Sequence, residues 1–385
     1  MKRLRKSAMR RRAVGTLRAI AAGSAAASIA AGLALARSTD WLRALGAKAA
    51  GERLARIRSS PQWKNGRFRN RVSTATLLPS RFGQTLRLQV AGEEIRYPRR
   101  PIPVLSRKLA DFDAPPASGL RVTWLGHATA LVEIDGARVL TDPVWSERVS
   151  PSAWIGPKRF FEPPLPLGQL PRLDAVVISH DHYDHLDMRT IEALAGRGAR
   201  FFVPLGVGAH LERWGVPPES IDELDWEEVR LIGDVTLTLT PARHFSGRGP
   251  GDRDSTLWGS WVLSGPRHRV FYSGDSGYFE GFREIGAAHG PFDATLMSAA
   301  AYGPTWPDVH MTPEELVRSH VELSGETMIP VHWATFNLAF HDWTEPVLRA
   351  SAAAREAGAR LLVPRPGEMV EPTRPPEIPD WWREP

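Results

Sequence analysis

Cysteine is absent from all 385 residues of the chain. This absence excludes disulfide bonds, thiolate-bound zinc, iron–sulfur clusters, a thiolate nucleophile and a lipid-modified N-terminal cysteine. A G-x-S-x-G motif is also missing, which argues against a serine hydrolase built on a nucleophile elbow. Glycine and proline, at 33 residues each, are too few for a collagen-like or low-complexity chain. The sequence therefore indicates a globular protein whose chemistry uses other side chains.

Acidic residues are scarce in the first hundred positions, which hold 23 Lys and Arg against 4 Asp and Glu. The remaining positions hold 26 basic against 39 acidic side chains, so the body of the chain carries a net charge of −13. An acidic body argues against nucleic acid as a partner, because a nucleic-acid groove should be basic. The basic N-terminus predicts instead a targeting segment or a contact with anionic lipid.

The N-terminal segment begins with a block of eight basic residues within positions 1–18. No charged residue occurs from Ala19 to Ala36, a stretch whose length as a helix would be about 27 Å. This pattern predicts an export signal or a weak membrane anchor; a transit peptide and an unstructured alanine-rich tail are the alternatives. Residues 41–58 alternate apolar and basic side chains, which is typical of a helix on a membrane surface or of a solvated linker. We therefore expect the protein to be membrane-associated or exported.

The body of the chain alternates short apolar runs with helical patterns from Arg121 onward. Asp135-Gly136 separates two of these runs and predicts a hairpin turn, whereas the continuous apolar run at 174–179 predicts a buried strand. Residues 359–371 are expected to form one last strand. Together these patterns predict two packed β-sheets with helices outside them. They divide the chain into four parts: a basic signal or anchor with a linker (1–58), an extended arm (59–118), the main domain (119–372) and a C-terminal tail (373–385).

A well-marked helix start lies at Thr312. This residue is a good N-cap, Pro313 suits the first helical position, and Glu315 completes a capping box. His310 lies just before this helix, where backbone N–H groups and the helix dipole favour an anion. His310 is therefore a candidate for binding a negatively charged group.

The strongest chemical signal is the run HDHYDHLD, from His180 to Asp187, directly after the predicted strand. Three His and a carboxylate within six residues supply the nitrogen and oxygen ligands that suit zinc. In a tight loop at a strand end, side chains at alternate positions can converge on one ion while the next pair reaches a second. A polar surface loop, the alternative, does not account for such clustering of ionisable groups.

Three later residues are further candidates: His244, Asp275 and His332. Each alone has an ordinary alternative, namely a histidine at a sheet edge, an aspartate in a turn and a histidine packed in the core. Their order after the first motif favours a shared site. His127 is expected to be a hydrogen-bonded core histidine, with a role in positioning the site as the alternative, and His320 is expected to be a structural histidine on the apolar face of its helix.

The order of these motifs resembles the metallo-β-lactamase superfamily, in which HxHxDH follows a strand. Within it, five motifs and one N-terminal segment are similar to the N-acylphosphatidylethanolamine-hydrolysing phospholipase D branch: WLGHAT (124–129), HDHYDHLD (180–187), GDSGY (274–278), HMTPEE (310–315), PVHWATF (330–336) and SPQWKNGRFRN (60–70). The resemblance covers about residues 60–370. It implies an α/β fold, a four-layer αβ/βα sandwich of two mixed β-sheets with helices on the outer faces, and makes 119–372 the catalytic domain.

The resemblance also implies two Zn²⁺ ions per chain. Seven ligands would hold them in two sets with one bridge: His180, His182 and His244 for one ion, Asp184, His185 and His332 for the other, and Asp275 for both. Five neutral imidazoles and two carboxylates leave the two ions with a net charge of +2, or +1 with a bridging hydroxide. Such a site would attract a phosphodiester and activate water.

The function implied by the resemblance is that of a zinc-dependent phosphodiesterase. It would cleave a phospholipid of the N-acylphosphatidylethanolamine type, in a phospholipase D-type reaction, by attack of a metal-bridging hydroxide. Asp184 would orient the nucleophile and accept its proton, and His310 would contact the substrate phosphate. Tyr183 matches a residue that touches the lipid. Val309 departs from the branch, because animal members carry a polar amide there.

Two other functions stay open at this point. One is a lactonase, an amidase or another metal-dependent hydrolase of a small metabolite, because this fold hosts diverse chemistry. The other is a membrane-associated binding protein that keeps zinc for structure alone. The expected partners are a phospholipid substrate and a membrane surface, with no nucleic acid; the oligomeric state is left open.

Overall fold

Sixteen strands and six α-helices form most of the described part of the fold, together with a helical turn at residues 40–44 and five short 3-10 helices. The computed structural model describes residues 40–81, 83–84, 87–88 and 92–383, so the predicted signal or anchor lies outside the described residues. The strands are β1 Trp63–Lys64, β2 Arg67–Phe68, β3 Leu120–Gly126, β4 Thr129–Ile134, β5 Ala137–Thr141, β6 Ala175–Val177, β7 Arg200–Pro204, β8 Ile221–Leu224, β9 Val229–Ile232, β10 Val235–Thr240, β11 Ser260–Ser264, β12 Arg269–Tyr272, β13 Phe292–Ser298, β14 Gly325–Val331, β15 Arg360–Leu361 and β16 Met369–Val370. The helices are α1 Gly51–Ser59, α2 Met188–Leu194, α3 Gly208–Arg213, α4 Gly281–His289, α5 Pro313–Glu322 and α6 Glu345–Ala357.

Two seven-stranded sheets form the centre of the molecule. The first has the order β16-β3-β4-β5-β6-β7-β8, and the second has the order β15-β14-β13-β12-β11-β10-β9. Each sheet is mixed: β16 and β3 to β5 are antiparallel and β5 to β8 parallel, while β9 to β12 are antiparallel and β12 to β15 parallel. None of the helices in the described ranges has the length and apolar character needed to cross a bilayer.

The predicted hairpin turn joins β4 to β5. Ile134 pairs with Ala137, which leaves Asp135 and Gly136 as a two-residue turn. Both turn residues have positive φ, 47° and 93°, as a type I′ turn requires. The prediction of a turn from Asp-Gly is confirmed.

Three apolar clusters separate the four layers of the fold. The largest lies between the sheets and contains Trp124 of the first sheet and Trp261 of the second, both fully buried. A second cluster packs the outer face of the first sheet against α2 and α3 through Ile191 and Leu211. A third covers the second sheet with α4, α5 and α6, including Leu316. The predicted sandwich with helices on its outer faces is therefore confirmed.

The prediction of one last strand over 359–371 is wrong. This run is split into β15, which pairs with β14 at the edge of the second sheet, and β16, which pairs with β3 at the edge of the first. Pro364 and Pro366 lie between them and have no N–H to donate, and Gly367 has a φ of 83°. The chain therefore leaves one sheet here and crosses to the other.

The segments outside the sandwich pack against it. In α1, Arg53 forms ion pairs with Glu212 of α3 (2.7 Å) and Glu223 of β8 (2.6 Å), and Ile57 is buried. The C-terminal tail buries two tryptophans in the core between the sheets, and the indole N–H of Trp381 donates to a main-chain carbonyl at 3.1 Å. The helix predicted between residues 41 and 58 is thus in contact with the body.

Candidate metal centre

The loop His180–His185 follows the end of β6 and leads into α2. Its turn is closed where the N–H of Leu186 donates to the carbonyl of His182 at 2.8 Å. Asp187 then caps α2 by accepting a hydrogen bond from the N–H of Arg189 at 3.3 Å. A strand end and a capped helix therefore fix both ends of the loop, which limits the freedom of its side chains.

Three imidazoles meet at the first group of donor atoms. The Nε2 atom of His180 lies 2.8 Å from Nδ1 of His182, and that Nδ1 lies 3.3 Å from Nε2 of His244. His244 comes from the other sheet, four residues after β10. The structure thus brings together the three histidines predicted for one ion.

A second group lies beside the first. Oδ2 of Asp184 is 3.2 Å from Nε2 of His332 and 3.5 Å from Nε2 of His185, so the three side chains predicted for the other ion meet here. The group also includes His127, whose Nε2 donates to the same carboxylate oxygen at 3.0 Å. His127 was expected in the core; it is buried, yet it belongs to the cluster.

Asp275 lies between the two groups. Its Oδ2 atom is 3.1 Å from Nε2 of His185 and 3.2 Å from Nε2 of His332 in the second group. The same oxygen is 4.0 Å from Nε2 of both His180 and His244 in the first group. One carboxylate oxygen thus faces both groups, which is the geometry that a bridging ligand needs.

Two glycines allow the chain around Asp275 to approach its neighbours. Gly274 has a φ of 53°, and a Cβ atom there would lie 2.4 Å from Cβ of Ser179. At Gly277 a Cβ atom would lie 1.9 Å from the carbonyl oxygen of Asp308. These contacts explain why glycine stands before Asp275 and after Ser276. From the sequence alone, the two glycines indicate only that a turn lies here.

The backbone is strained where the two sheets meet at the cluster. His127 and His332 both have positive φ, 50° and 63°, which is uncommon for residues other than glycine. The N–H of His332 donates to the carbonyl of His127 at 2.8 Å, and the N–H of His127 donates to Oγ1 of Thr335 at 2.7 Å. Such strain costs about 1–3 kcal/mol per residue and persists where the surroundings hold it, commonly at functional sites.

Two of the imidazoles have their outer nitrogen fixed by an acceptor. Nδ1 of His185 donates to Oδ2 of Asp142 at 2.6 Å, and Nδ1 of His244 donates to the carbonyl of Val309 at 3.0 Å. When either ring is neutral, as a metal ligand must be, this leaves Nε2 with its lone pair toward the cluster. The carbonyl of Val309 therefore orients the ring of His244, and this contact does not depend on the side chain at position 309.

Asp142 is a functional residue that the sequence analysis missed. It also accepts hydrogen bonds from the N–H of Ser179 at 2.7 Å and from the hydroxyl of Tyr272 at 2.5 Å. The hydroxyl of Ser179 lies 2.9 Å from Nδ1 of His180, so one carboxylate supports donors of both groups. Its only signal in the sequence is its place at the end of a predicted strand, which is too weak to identify it.

The charges of the cluster favour a cation. Burial opposes ionisation of Asp275, but His185 and His332 outweigh it and hold the pKa of this carboxyl well below its usual range. Burial lowers the pKa of the His185 imidazole, but Asp275 and Asp184 together raise it well above its usual range. Burial holds the pKa of His244 well below its usual range, so this ring stays neutral and keeps a lone pair for a metal.

The donor set fits divalent zinc. Two ligands of one tetrahedral zinc ion, each about 2.05 Å away, lie about 3.3 Å apart. The separation between His182 and His244 is 3.3 Å, and that between Asp184 and His332 is 3.2 Å. Nε2 of His185 is buried and has no hydrogen-bond partner, although it faces the carboxylates. These buried His and Asp side chains form a metal site.

A cavity of about 250 Å³ opens above the cluster. Metal-site residues form its floor, and its wall is mostly apolar, with Phe245, Trp306, Val309 and Leu338 among the lining residues. Access to the donors is therefore open on one side, as a catalytic metal site requires.

His310 lines this cavity, as its predicted role requires. Its Nδ1 lies 3.9 Å from Oδ2 of Asp275, and burial, opposed in part by that carboxylate, lowers the pKa of His310 to about 4. The ring is therefore neutral near pH 7, and its buried Nδ1 has no hydrogen-bond partner. The predicted capping box of α5 is also confirmed: the N–H of Thr312 donates to the Glu315 carboxylate at 2.9 Å, and the N–H of Glu315 donates to Oγ1 of Thr312 at 3.3 Å.

Tyr183 is placed differently. Its hydroxyl donates to the carbonyl of Arg248 at 2.6 Å, and its ring lines a neighbouring cavity rather than the one above the donors. The structure thus does not bring Tyr183 to the metal cavity with His310, and its contact with substrate stays a prediction.

The comparison with known sequences identifies the family. The sequence family described as the beta-lactamase superfamily domain matches residues 137–333, just over half of the chain and all seven predicted ligands. The chain belongs to the metallo-β-lactamase superfamily. With this fold and its buried His/Asp site, it is a metal-dependent hydrolase of the superfamily.

Relatives within the superfamily differ in how much of the chain they share. An uncharacterised protein of Mycobacterium tuberculosis is 49% identical over 375 residues, which are 95% of this chain and 99% of that protein. The N-acyl-phosphatidylethanolamine-hydrolyzing phospholipase D 1 of Caenorhabditis elegans is 37% identical over 61% of this chain and 69% of its own. Among solved structures, isothiocyanate hydrolase from Delia radicum gut bacteria is 19% identical, with a TM-score of 0.53 over 65% of this chain and 98% of its own. At that identity the likeness shows the fold alone.

The arm before the superfamily match also reaches the metal centre. The side chain of Asn70 donates to the carbonyl of His244 at 2.7 Å and accepts from its N–H at 3.1 Å. Asp308 accepts from the N–H of Ala75 at 2.7 Å, and Thr76 lines the cavity. The arm therefore positions the main chain of His244 through Asn70, and it contributes Thr76 to the wall of the cavity.

Arg248 connects the N-terminal residues to the metal loop from behind. This buried guanidinium donates to the carbonyl of Asp181 within the loop (2.6 Å), to that of Leu186 just after it (2.9 Å), and to that of Ala44 (2.8 Å). Asp181 itself points away from the cluster and accepts from the N–H of Gly247 at 2.7 Å. The carboxylate of Asp181 thus stabilises the loop through this hydrogen bond.

Proposed function

We propose that the protein hydrolyses the phosphodiester of a phospholipid, of the N-acylphosphatidylethanolamine type, in a phospholipase D-type reaction. The observation that carries this proposal is the cavity, which combines a metal-binding floor with an apolar wall. A phospholipid has the matching parts, because its phosphate suits the floor and its acyl chains suit Phe245, Trp306 and Leu338. The C. elegans relative, by its name a phospholipase D for this substrate, supports the proposal.

In this reaction water adds to phosphorus, and the bond from phosphorus to the N-acylethanolamine oxygen breaks. The products are phosphatidic acid and an N-acylethanolamine, whose alkoxide oxygen takes up a proton. Two zinc ions, when bound by the two donor groups, would polarise the phosphate and lower the pKa of the attacking water. Asp184, whose Oδ2 lies among the donors, would orient that water and accept its proton.

Two residues beside the donors contribute to substrate binding. His310, neutral and without a partner for its buried Nδ1, would donate a hydrogen bond to a phosphate oxygen. Val309 offers the substrate an apolar side chain, and its carbonyl is already occupied by His244. Near Val309, the cavity would therefore select a substrate by its phosphate and its acyl chains, and not by its amide group.

We also propose that residues 1–36 bring the enzyme to a membrane, where its substrate is. The support is the basic block followed by 18 uncharged residues from Ala19 to Ala36. Fractionation of cells that express the full chain, residues 37–385, or the full chain with Ile29→Asp and Leu33→Asp tests this. The full chain should sediment with membranes and the other two should not; an equal soluble share of all three would contradict the attachment.

Substrate turnover tests the reaction class. Zinc-loaded full-length protein is assayed on N-acylphosphatidylethanolamine, phosphatidylethanolamine and a lactone, with His310→Ala beside the matched variant His289→Ala on the surface end of α4. We expect phospholipid cleavage that falls about ten- to a hundredfold in His310→Ala, because a lost hydrogen bond to a charged group is worth about 1.5–3 kcal/mol. His289→Ala should keep the wild-type rate.

The outcomes separate the alternatives. Wild-type turnover of the lactone with no diester cleavage would contradict the phospholipase proposal and favour a hydrolase of a small metabolite. Diester cleavage that is equal in both histidine variants would remove His310 as the phosphate contact. Zinc content, measured in parallel, should be the same in all three proteins, because neither histidine is a predicted ligand.

A further inference from the structure

An apolar surface lies on the molecule away from the metal cavity. It is formed by Trp41, Leu42, Trp154 and Ile155, whose exposed fractions are 44%, 53%, 64% and 75%. Trp41 and Trp154 line one cavity of about 380 Å³, although they are far apart in the sequence. Ile155 is the most exposed large apolar side chain among the residues that the structure describes. The fold thus brings Trp41 and Trp154 to one cavity, with exposed Leu42 and Ile155 next to them in the chain, and we name these four residues the tryptophan surface.

The tryptophan surface is connected to the metal cavity by apolar packing. Tyr183 lines the cavity beside Trp41, and Leu338 lines the cavity above the metal donors. Both belong to one apolar cluster with Val144, Val149 and Phe336. Packed apolar side chains therefore separate the two cavities and join their walls.

The position of this surface in the chain indicates what covers it. Trp41 comes five residues after Ala36, the last residue of the uncharged stretch. Five residues span at most about 18 Å, even when fully extended. If residues 19–36 enter a bilayer, the tryptophan surface must therefore lie within about 18 Å of that bilayer.

The chemistry of the surface suits a lipid interface. Tryptophan is enriched at membrane interfaces, because its ring is amphipathic. Two ion pairs lie nearby: Arg189 lies 3.4 Å from Asp40, and Lys158 lies 2.6 Å from Glu147. Arg148 and Asp187, which line the same cavity, have opposite charges and hydrogen-bond to Gly156 and Ser146. Paired charges cost less to bring near lipid than single ones. The surface is therefore apolar with a nearly neutral border.

We propose that the tryptophan surface is the membrane-docking face of the domain and inserts its exposed side chains into the lipid interface. The proposal rests on the proposed membrane attachment and is independent of the reaction that the metal centre catalyses. It fixes the orientation of the domain, with the outer layer of α2 and α3 toward the lipid and that of α4 to α6 toward water.

The absence of cysteine from the chain allows a direct test. Ile155→Cys in the full chain is labelled with an environment-sensitive dye, and the matched control is Val321→Cys, 51% exposed on α5 in the opposite outer layer. The vesicles contain phosphatidylcholine and phosphatidylglycerol in equal amounts. On them, the emission of the dye at position 155 should shift to the blue and should be quenched by a quencher attached to lipid. The emission of the dye at position 321 should neither shift nor be quenched.

Three results would overturn the proposal. They are vesicle binding without a shift at 155, equal shifts at both positions, and failure of the full chain to bind vesicles. A shift at 155 that depends on protein concentration and needs no vesicles would assign the surface to a second copy of the chain instead. Loss of phospholipase activity alone would leave the docking result unaffected, so the two proposals fail separately.

A second pair of variants tests the contribution to binding. Trp154→Ser with Ile155→Ser should weaken vesicle binding of the full chain about tenfold or more, because burying one such side chain is worth about 1.5–3 kcal/mol. Val321→Ser with Leu348→Ser, on the opposite layer, should bind as the wild type does. Equal binding by both variants, with unchanged circular dichroism, would contradict the proposal.

Discussion

Replacing Asp142 with Asn should weaken one metal position much more than the other. Asp142 is fully buried and accepts from Nδ1 of His185, the N–H of Ser179 and the hydroxyl of Tyr272, at 2.6, 2.7 and 2.5 Å. Asparagine keeps the size but has one acceptor oxygen and no charge, so the His185 ring loses its anionic partner. Loss of such a partner lowers metal affinity about 10- to 100-fold, or about 1.4–2.7 kcal/mol.

The assay is a competition between the full-length protein and a chromophoric chelator for zinc. In Asp142→Asn the binding step assigned to Asp184, His185 and His332 should move by this factor, while the step assigned to His180, His182 and His244 should change less. Tyr272→Phe is the matched control, because it removes one donor but keeps the carboxylate and its bond to His185. Unchanged affinity at both steps, or an equal loss in Tyr272→Phe, would refute the reasoning.

Three further variants test other parts of the account. Asp275→Ala should lose both ions together, since one carboxylate oxygen faces both groups; elemental analysis that finds one ion retained would rule out the bridge. Gly277→Ala should lower the free energy of unfolding by about 1–3 kcal/mol, because its Cβ would lie 1.9 Å from the carbonyl oxygen of Asp308; an unchanged urea midpoint would contradict this. Arg248→Met should reduce zinc content and activity through the loop that it holds, while the surface variant Arg360→Met, which loses only an exposed ion pair with Glu326, should not. Equal zinc in the two arginine variants would show that Arg248 does not position the loop.

The sequence predicted the fold best where local and family signals agree. The Asp-Gly turn and the capping box at Thr312 depend on a few neighbouring residues, and both are confirmed. The division of 359–371 into two strands depends instead on which sheet each half reaches, and only tertiary pairing decides that. The short strands β8 and β9 were not predicted, because their half-exposed, partly charged residues lack a clear apolar period.

The metal donors were predictable because they follow one another in a recognisable order. The places of His127 and Asp142 in the cluster were not recognised, because their contacts with the donors, Asp184 and His185 respectively, join residues that are far apart in the sequence. Asn70 was missed for the same reason: its partner is a main-chain group 174 positions away. Such supporting contacts leave no pattern in the sequence of one chain.

The position of isotope in the product tests the central claim most directly. Full-length, zinc-loaded protein is incubated with N-acylphosphatidylethanolamine in water enriched in oxygen-18, and both products are analysed by mass spectrometry. Attack of water on phosphorus above the donor groups predicts one labelled oxygen in the phosphate of phosphatidic acid and none in the N-acylethanolamine. Label in the N-acylethanolamine, or no phosphatidic acid from a protein with its full zinc content, would contradict the account.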